Sequence, residues 1–381
     1  MRSTDSHLSA GSSATQAASP ISYDLAIVGT VGLPARYGGF ETLADELTSR
    51  LVARYRVCVY CTRKGRDEFP TNYMGATLQY VGLDANGWQS IPYDIVSLWR
   101  AASNTTTVLL LGVSGCMFLP LLRLFSPRVR IVTNIDGLEW KRKKWGFLAR
   151  AILRCSEWAA VRFSDEVITD NQGIQEHVMS SYGRPTTLIP YGGDNRCAAE
   201  STHAPRDSTY PAGSYFFGVC RIEPENNIHH VLSAFKQTPS RSLVLVGNWD
   251  ISDYSRDLRR NFSDVPNLQL ADPIYDQTRL ARLRAEAVAY IHGHSAGGTN
   301  PSLVEAMMAG MAVLAYDVNY NRYSTEGCAR YWRDAAQLAD LLSTLSETAL
   351  RGDAKVMGKI ARRCYKWETI GQKYESILFP S

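Results

Sequence analysis

Short apolar runs alternate with amphipathic stretches along most of the chain. The first run, YDLAIVG at residues 23–29, is followed by the amphipathic ETLADELTSRLVARY at 41–55 and then by the β-branched RVCVYCT at 56–62. A short apolar run indicates a buried strand, whereas apolar residues three or four positions apart indicate one face of a helix. The opening of the chain therefore predicts a strand, a helix and a second strand.

The same alternation continues to residue 192 and restarts at 214, after a polar stretch with proline and glycine at 193–213. Further strands are predicted at 76–82, 107–112, 129–135, 165–170 and 186–192, and then at 214–220, 242–248, 268–272, 287–293 and 312–318. The second half also predicts helices at 227–235, 278–287 and 302–310. Because strands that alternate with helices form parallel sheets, we predict an α/β fold with two doubly wound, Rossmann-like domains facing a cleft.

These patterns divide the chain of 381 residues into four parts. Residues 1–20 are rich in Ser, Ala, Thr and Gly and predict a disordered tail. Residues 21–195 form the first domain, 214–360 the second, and 361–381 a C-terminal helix that we expect to pack back on the first domain. The apolar stretch 108–125 approaches the length of a membrane span, but its Gly-Val-Ser-Gly break, Pro120 and Arg123 favour a strand, a turn and a helix.

Composition argues against several classes of function. A net charge of +4 is too small to indicate binding to nucleic acid. The eight cysteines are scattered, and the one close pair has no second pair at zinc spacing, so a reducing, cytoplasmic setting fits best. No aspartate cluster indicates a metal ion, and we expect neither a metal nor a cofactor.

The glycine-rich loop GTVGLPARYGGFE at 29–41 lies between the first predicted strand and the first predicted helix. Glycines at such a place let the backbone approach a phosphate, whose charge is favoured at a helix N-terminus. The spacing misses the GxGxxG fingerprint and no acidic residue follows the second strand, which disfavours a nicotinamide oxidoreductase. A plain turn with positive φ remains the alternative for Gly38 and Gly39.

Two motifs of the second domain carry groups suited to a nucleotide. Arg221 follows a predicted strand, where its planar fork suits a diphosphate. In HSAGGTNPSLVEAMMAG at 294–310, Glu305 lies one turn inside a helix whose start offers backbone N–H groups to phosphate. A carboxylate at that place suits the two hydroxyls of a ribose. A capping box between Ser302 and Glu305 is the alternative.

The stretch NIDGLEWKRKKW at 134–145 places Asp136 and Glu139 just after a predicted strand, and four basic residues between Trp140 and Trp145. Basic residues flanked by tryptophans suit a surface that meets anionic lipid headgroups. A solvated helix face explains the same run equally well.

Four separated stretches carry a resemblance to a known family: GLPARYGGFET, NIDGLEWKRKKW, CRIEPENNI and HGHSAGGTNPSLVEAM. In this order, over about residues 23–378, they resemble the GT-B glycosyltransferases of family four, and among these the bacterial rhamnosyltransferases. The resemblance implies retaining transfer of a sugar from a nucleotide-sugar donor, L-rhamnose from dTDP-L-rhamnose, without a bound metal. It also implies a saccharide acceptor held on a polyprenyl diphosphate in bacterial surface polysaccharide synthesis, and hence a peripheral place at the inner face of the cell membrane.

The resemblance assigns roles to individual residues. As catalytic groups, Arg221 would clamp the donor diphosphate, Glu305 would take the ribose, and Asp136, in preference to Glu139, would orient the acceptor hydroxyl. The donor would also meet residues of both domains: Gly38, Gly39, Asn226, His294, Gly297, Gly298, Thr299, Asn300 and Ser302. Gly297 stands where the wider family has a glutamate and Asn226 where it has a lysine, which is compatible with a 6-deoxy sugar.

Two other functions stay open on the sequence. One is a glycosyltransferase that uses a UDP- or GDP-sugar, and the other is a non-catalytic module that binds a nucleotide sugar. A mere binding module predicts a first domain without polar groups at its strand ends. Gly38, Gly39, Asp136 and Glu139 all lie at such ends, which favours an enzyme.

Overall fold

The computed structural model describes residues 22–35, 38–65, 67–135, 137, 140, 146–195 and 213–380. Within these ranges the chain forms two sheets, and helices cover both faces of each. The alternation of apolar runs and amphipathic stretches is thereby confirmed as the signature of a doubly wound α/β fold.

The first sheet has eight strands in the order β3-β4-β2-β1-β5-β6-β7-β8, and every neighbouring pair is parallel except β3 with β4. The strands are β1 (Tyr23–Val28), β2 (Val57–Thr62), β3 (Asn72–Tyr73), β4 (Ala76–Val81), β5 (Thr105–Leu111), β6 (Arg130–Ile135), β7 (Glu166–Thr169) and β8 (Thr187–Leu188). β8 is much shorter than the strand predicted at 186–192, because Pro190 has no N–H to donate to a ladder.

The helices of the first domain divide between two faces of this sheet. α1 (Gly39–Leu51) packs on one face, and the other carries α2 (Ser90–Asn104), α3 (Leu119–Phe125), α4 (Phe147–Phe163) and α5 (Gln172–Tyr182). The stretch 108–125 is the end of β5, a 3-10 turn at Cys116–Phe118 and then α3, as predicted. Among the helices of the described ranges, none combines the length and the apolar character that a bilayer span requires.

The second sheet has six parallel strands in the order β11-β10-β9-β12-β13-β14. They are β9 (Tyr215–Val219), β10 (Ser242–Val246), β11 (Leu268–Ala271), β12 (Ala289–His292), β13 (Ala312–Tyr316) and β14 (Arg330–Trp332). Its helices are α6 (Ile228–Gln237), α7 (Asp253–Phe262), α8 (Gln277–Glu286), α9 (Pro301–Met308), α10 (Asn319–Ser324), α11 (Ala335–Thr344) and α12 (Glu347–Cys364).

The last helix, α13 (Trp367–Leu378), lies beside α1 of the first domain. The Tyr374 hydroxyl accepts a hydrogen bond from Asn134 Nδ2 at 2.7 Å, which ties the helix to the end of β6. The Tyr55 hydroxyl donates to Glu375 at 3.0 Å, and the Tyr55 ring stacks on Phe379. The chain thus crosses between the domains twice, once at 193–213 and once before α13.

Trp367, the first residue of α13, packs against residues 191–195 at the end of the first domain. Its side chain is fully buried, and its ring centroid lies 4.9 Å from that of Tyr191. The indole Nε1 donates to Asn195 Oδ1 at 2.7 Å. Gly192 passes so close that a Cβ there would lie 2.4 Å from the ring, so the segment 191–195 is wrapped around this indole.

We predict that Trp367→Ala lowers the free energy of unfolding by about 3–5 kcal/mol, because it removes a fully buried aromatic side chain and leaves a cavity. Urea unfolding followed by circular dichroism measures the change. Trp88→Ala is the matched control, since Trp88 is 80% exposed and its loss should cost no more than about 0.5 kcal/mol. Equal effects for both variants would contradict the role given to Trp367.

Candidate active site

A cleft opens where the carboxyl ends of the two sheets face each other. Its walls come from both domains and from α13, and they are formed by Gly39, Phe40, Leu43, Asn134, Asp170, Ile189, Pro190, Tyr191, Arg221, Glu223, Glu225, Asn226, His294, Ala296, Gly297, Gly298, Thr299, Asn300, Pro301 and Tyr374. Seven of the predicted donor-site residues are in this set besides Arg221: Gly39, Asn226, His294, Gly297, Gly298, Thr299 and Asn300. Gly38, Ser302 and Glu305 are not.

The two consecutive glycines at the start of α1, Gly38 and Gly39, have different roles. Gly38 has φ 137°, and a Cβ there would lie 1.9 Å from Glu41 Oε2, so it shapes the turn. Glu41 Oε1 accepts a hydrogen bond from the Val31 amide at 3.0 Å and holds the glycine loop against the helix. Gly39 is the first residue of α1 and approaches the second domain, since a Cβ there would lie 3.4 Å from Pro301.

Asn300 caps the helix that follows the turn at 297–300. Its side-chain oxygen accepts from the Ser302 amide at 3.2 Å and from the Ser302 hydroxyl at 2.8 Å. The alternative of a capping box between Ser302 and Glu305 is therefore wrong, because Pro301 takes the first helical position and moves the cap to Asn300. Ser302 faces its own cap and not the cleft.

Asp170 of the first domain contacts the backbone of the turn at 297–300. It follows β7 directly, and its Oδ2 accepts a hydrogen bond from the Thr299 amide at 2.9 Å. The Thr299 hydroxyl donates to the Asp170 carbonyl oxygen, and a Cβ on Gly298 would lie 1.9 Å from Asp170 Oδ1. A glycine is therefore required at 298 for the two domains to come this close. Sequence analysis did not single out Asp170, although this residue is the last of the strand predicted at 165–170.

Arg221 follows β9 and presents its guanidinium at the edge of the cleft. Its side chain is 45% exposed, and its NH1 lies 3.7 Å from Glu223 Oε1, a loose ion pair. Asn226 is almost fully buried and donates from Nδ2 to the Arg221 carbonyl oxygen at 2.7 Å. Asn226 thus fixes the loop that carries Arg221 and adds no charge, so the arginine supplies the positive charge at this edge.

Glu305 lies behind the cleft wall and is held from two sides. Its Oε1 accepts from Asn195 Nδ2 at 2.7 Å, and its Oε2 forms an ion pair with Arg284 of α8. Both partners of the pair are largely buried, with side chains 15% and 9% exposed. Since Asn195 also accepts from Trp367, one chain of contacts runs from α13 through the crossing segment to α9.

Two histidines stack at the end of β12, whose last residue is His292. The rings of His292 and His294 stack with centroids 4.5 Å apart. Complete burial lowers the pKa of His292 to about 3, against a weaker opposing contribution from Asn321, so its ring is neutral at physiological pH. A neutral ring stacks on His294 without charge repulsion and sets the position of His294 in the cleft.

Asp136, Glu139 and the basic residues 141–144 lie outside the described residues. Their neighbours are described: a Cβ on Gly137 would lie 3.4 Å from Gly297 Cα, so the start of this segment borders the cleft. At its other end, the Trp140 indole donates to Glu157 Oε2 at 2.9 Å. Burial opposes ionisation of Glu157, but hydrogen bonds led by that of His177 keep its pKa below the usual value.

Comparison with known proteins adds the reaction class. Residues 208–341 match the family model described as Glycosyl transferases group 1, and residues 22–194 match one described as Domain of unknown function (DUF1972). The second domain is a group 1 glycosyltransferase domain. A comparison with curated protein sequences finds no match.

Solved structures share the arrangement of both domains of this chain. A sucrose-phosphate synthase from Thermosynechococcus elongatus is 17% identical with a TM-score of 0.74, over 93% of this chain and 98% of that one. An α,α-trehalose-phosphate synthase (UDP-forming) from Burkholderia xenovorans in complex with glucose-6-phosphate is 12% identical with a TM-score of 0.68, over 93% and 99%. A trehalose-6-phosphate structure from E. coli bound with UDP-2-fluoro glucose is also 12% identical, with a TM-score of 0.70 over 93% and 98%. The chain has the GT-B fold.

Among the described residues, no group of three or more His, Cys, Asp and Glu side chains is placed to hold a metal ion. The charged side chains that line the cleft are Arg221 and the carboxylates of Asp170, Glu223 and Glu225, and the turn at 297–300 adds backbone amides. The guanidinium and the amides suit an anionic ligand.

We predict that Asp170→Ala speeds hydrogen exchange of the amides at 298–300 by roughly tenfold or more, because a charge-assisted hydrogen bond of about 1.5–3 kcal/mol is lost. Exchange measured by mass spectrometry reports the change. Asp165→Ala is the control, since Asp165 lies directly before β7 and also accepts from a backbone amide, that of Ile131 at 2.6 Å, but within the first domain. Unchanged exchange in Asp170→Ala would show that the contact does not hold the turn.

Proposed function

We propose that the protein is a retaining glycosyltransferase that moves L-rhamnose from dTDP-L-rhamnose to a saccharide acceptor on a polyprenyl diphosphate. The observation that carries the proposal is the Thr299 amide, which already binds a carboxylate in the same cleft that holds Arg221. A backbone amide that binds one anion is suited to bind another. The glycosyltransferase domain makes a sugar-nucleotide diphosphate the natural second anion.

The donor diphosphate and Asp170 compete for this amide. A carboxylate and a phosphate cannot accept from one N–H together, and their like charges repel. Donor binding therefore requires Asp170 to withdraw from Thr299, which moves the first domain relative to the turn at 297–300. Arg221, at the edge of the cleft, then meets the diphosphate with its planar fork.

Glu305 is proposed to take the ribose from behind the turn. A carboxylate accepts about four hydrogen bonds, and the known partners of this one are Asn195 and Arg284. Ribose hydroxyls would replace Asn195, while Arg284 keeps the carboxylate charged and in place. The 6-deoxy sugar is supported by Gly297, since no carboxylate stands there to bind a further hydroxyl.

The transfer itself exchanges two bonds at the anomeric carbon. The bond from this carbon to the diphosphate oxygen breaks, and a bond to the acceptor oxygen forms on the same face of the sugar. The acceptor proton passes to the departing phosphate oxygen. Arg221 and the turn amides stabilise the charge that develops on the leaving group, and Asp136 is proposed to orient the acceptor hydroxyl.

A UDP-sugar is the second candidate donor. The observation that favours it is the E. coli structure of the same fold, which is bound with UDP-2-fluoro glucose. A purely binding module is less well supported, because Asn134 and Asp170 of the first domain bring polar groups to the cleft from the side opposite the nucleotide turn.

A thermal-shift panel of dTDP-, UDP- and GDP-sugars separates these candidates. We predict the largest rise in Tm with dTDP-L-rhamnose, because the proposed donor should bind most tightly. A ligand at about 100 times its Kd stabilises the folded state by about 2.7 kcal/mol. A larger rise with a UDP-sugar would replace the proposed donor. Binding without any release of free nucleoside diphosphate on addition of lipid-linked acceptor would favour the binding module.

We predict that Arg221→Lys lowers kcat/KM by more than about tenfold, because a point charge cannot reproduce two parallel hydrogen bonds to a diphosphate. Arg256→Lys serves as the control, since Arg256 on α7 is similarly exposed, at 47%. A loss of less than about threefold in Arg221→Lys, below 1 kcal/mol, would mean that other groups hold the phosphates.

For Glu305 we choose Gln, because Ala would leave the largely buried Arg284 without its partner and cost stability as well as binding. Glu305→Gln should weaken donor binding by roughly tenfold or more, measured by calorimetry. Glu286→Gln on α8 is the matched control, as its ion pair with Arg282 is buried to a similar degree, at 15% and 16% exposure. Wild-type affinity in Glu305→Gln would remove the ribose role.

A peripheral place at the membrane completes the proposal. The acceptor is proposed to be held on a lipid, and the run of basic residues at 141–144, with Trp140 and Trp145 on either side, is proposed to meet anionic headgroups.

A further inference from the structure

Large apolar side chains are exposed next to one another on one side of the first domain. They belong to α2, α3 with the turn before it, and α4: Trp99, Met117, Leu121, Leu124, Phe125, Phe147, Leu148 and Trp158. Leu124, Phe147 and Leu148 are 76%, 90% and 72% exposed. We call this set the apolar face. Burying even one such side chain in a core is worth about 1.5–3 kcal/mol, so a surface that exposes eight of them together is unusual for a monomer.

The apolar face is continuous across the three helices. The Trp99 ring on α2 packs edge-on against Phe118 and Phe125, with centroids 6.1 and 5.7 Å apart. α4 packs against α3 and the turn before it. All exposed positions of α4 except 150 follow helical spacing and form one stripe along its outer side: 147, 148, 151, 154, 155, 158 and 162.

Positive charge predominates around the apolar face. Five exposed arginines belong to the same segments: Arg100, Arg128, Arg150, Arg154 and Arg162. The only carboxylates in 90–128 and 146–163 are Asp94 and Glu157, and both are buried. Burial raises the pKa of Asp94 to about 7, which further reduces negative charge here. The nearby Asp165 is paired with Arg123 of α3. Apolar side chains among arginines, with no exposed acid in 90–128 and 146–163, are complementary to anionic headgroups above hydrocarbon.

We propose that the apolar face binds the surface of an anionic lipid bilayer, with Leu124, Phe125, Phe147 and Leu148 inserted below the headgroups and the arginines among them. This proposal extends the membrane contact of the proposed function. It rests only on described residues and does not depend on the basic residues at 141–144. A second copy of the chain fits less well, because a symmetric dimer through this face would bring arginines against arginines.

The test is cosedimentation of the purified full chain with vesicles of phosphatidylcholine alone and with 30 mol% (about one lipid in three) phosphatidylglycerol. Binding is measured without donor or acceptor, so a failure of sugar transfer leaves the result independent. We expect binding to the anionic vesicles that falls by more than about tenfold in a variant with Leu124→Ser, Phe125→Ser, Phe147→Ser and Leu148→Ser. The matched control carries Ile251→Ser, Tyr275→Ser and Val356→Ser, which are exposed apolar residues of the second domain and of α12, and it should bind like the wild type.

The salt dependence of vesicle binding distinguishes contact through the apolar face from contact through the basic residues at 141–144. Contacts through charge alone disappear at high ionic strength, whereas inserted apolar side chains keep a fraction of the protein bound. A variant with glutamine at 141–144 should therefore retain salt-resistant binding, and the serine variant should lose it.

Two exposed cysteines provide a direct readout of insertion. Cys155 lies on the outer stripe of α4, and Cys328 lies in the second domain. An environment-sensitive fluorophore on Cys155, with the other reactive cysteines changed to serine, should shift to the blue on anionic vesicles, and one on Cys328 should not. The proposal is overturned if the folded serine variant binds as the wild type does, if the Cys155 probe does not respond, or if ultracentrifugation finds a dimer that the serine variant abolishes.

Discussion

The hydrogen bond from the Thr299 amide to the Asp170 carboxylate is the contact on which the geometry of the cleft depends. It joins the end of β7 in the first sheet to the turn before α9 in the second, at 2.9 Å and almost fully buried. Gly298 is needed for this approach, because a side chain there would collide with Asp170. The same contact reveals the chemistry of the turn, since an amide that holds a carboxylate is an anion site that the protein has filled with its own residue.

A second chain of contacts keeps the two domains in register behind the cleft. Trp367 is buried between the domains and bonds to Asn195, which bonds to Glu305, which pairs with Arg284. In the proposed mechanism, nucleotide binding to Glu305 acts directly on the segment that crosses between the domains. The proposed donor would replace both the contact of Asp170 with Thr299 and that of Asn195 with Glu305, which would couple donor binding to the angle between the domains.

Sequence periodicity predicted the architecture because buried parallel strands are short continuous apolar runs, and 23–29 and 312–318 are clear cases. The short strands β3 and β14 escape such a reading, and β8 covers only two residues of the strand predicted at 186–192. Local motifs also located the second-domain wall, since Arg221 and the turn at 297–300 follow strands of one sheet. Asp170 and Tyr374 were missed because they reach the cleft through tertiary packing, from an element 129 residues before Thr299 and from the last helix. The capping box failed because Pro301 moves the helix start.

The apolar face lies on α2, α3 with the turn before it, and α4 of the first domain, none of which lines the cleft, and so the proposed membrane contact and the proposed donor exchange use different surfaces. The central claim is that donor diphosphate and Asp170 use one amide in turn. A crystal structure of the protein with a nucleoside diphosphate in the cleft tests it most directly. We predict a phosphate oxygen within about 3 Å of the Thr299 nitrogen and the Asp170 carboxylate withdrawn from it. A bound diphosphate beside an intact hydrogen bond between Asp170 and Thr299 would contradict the account.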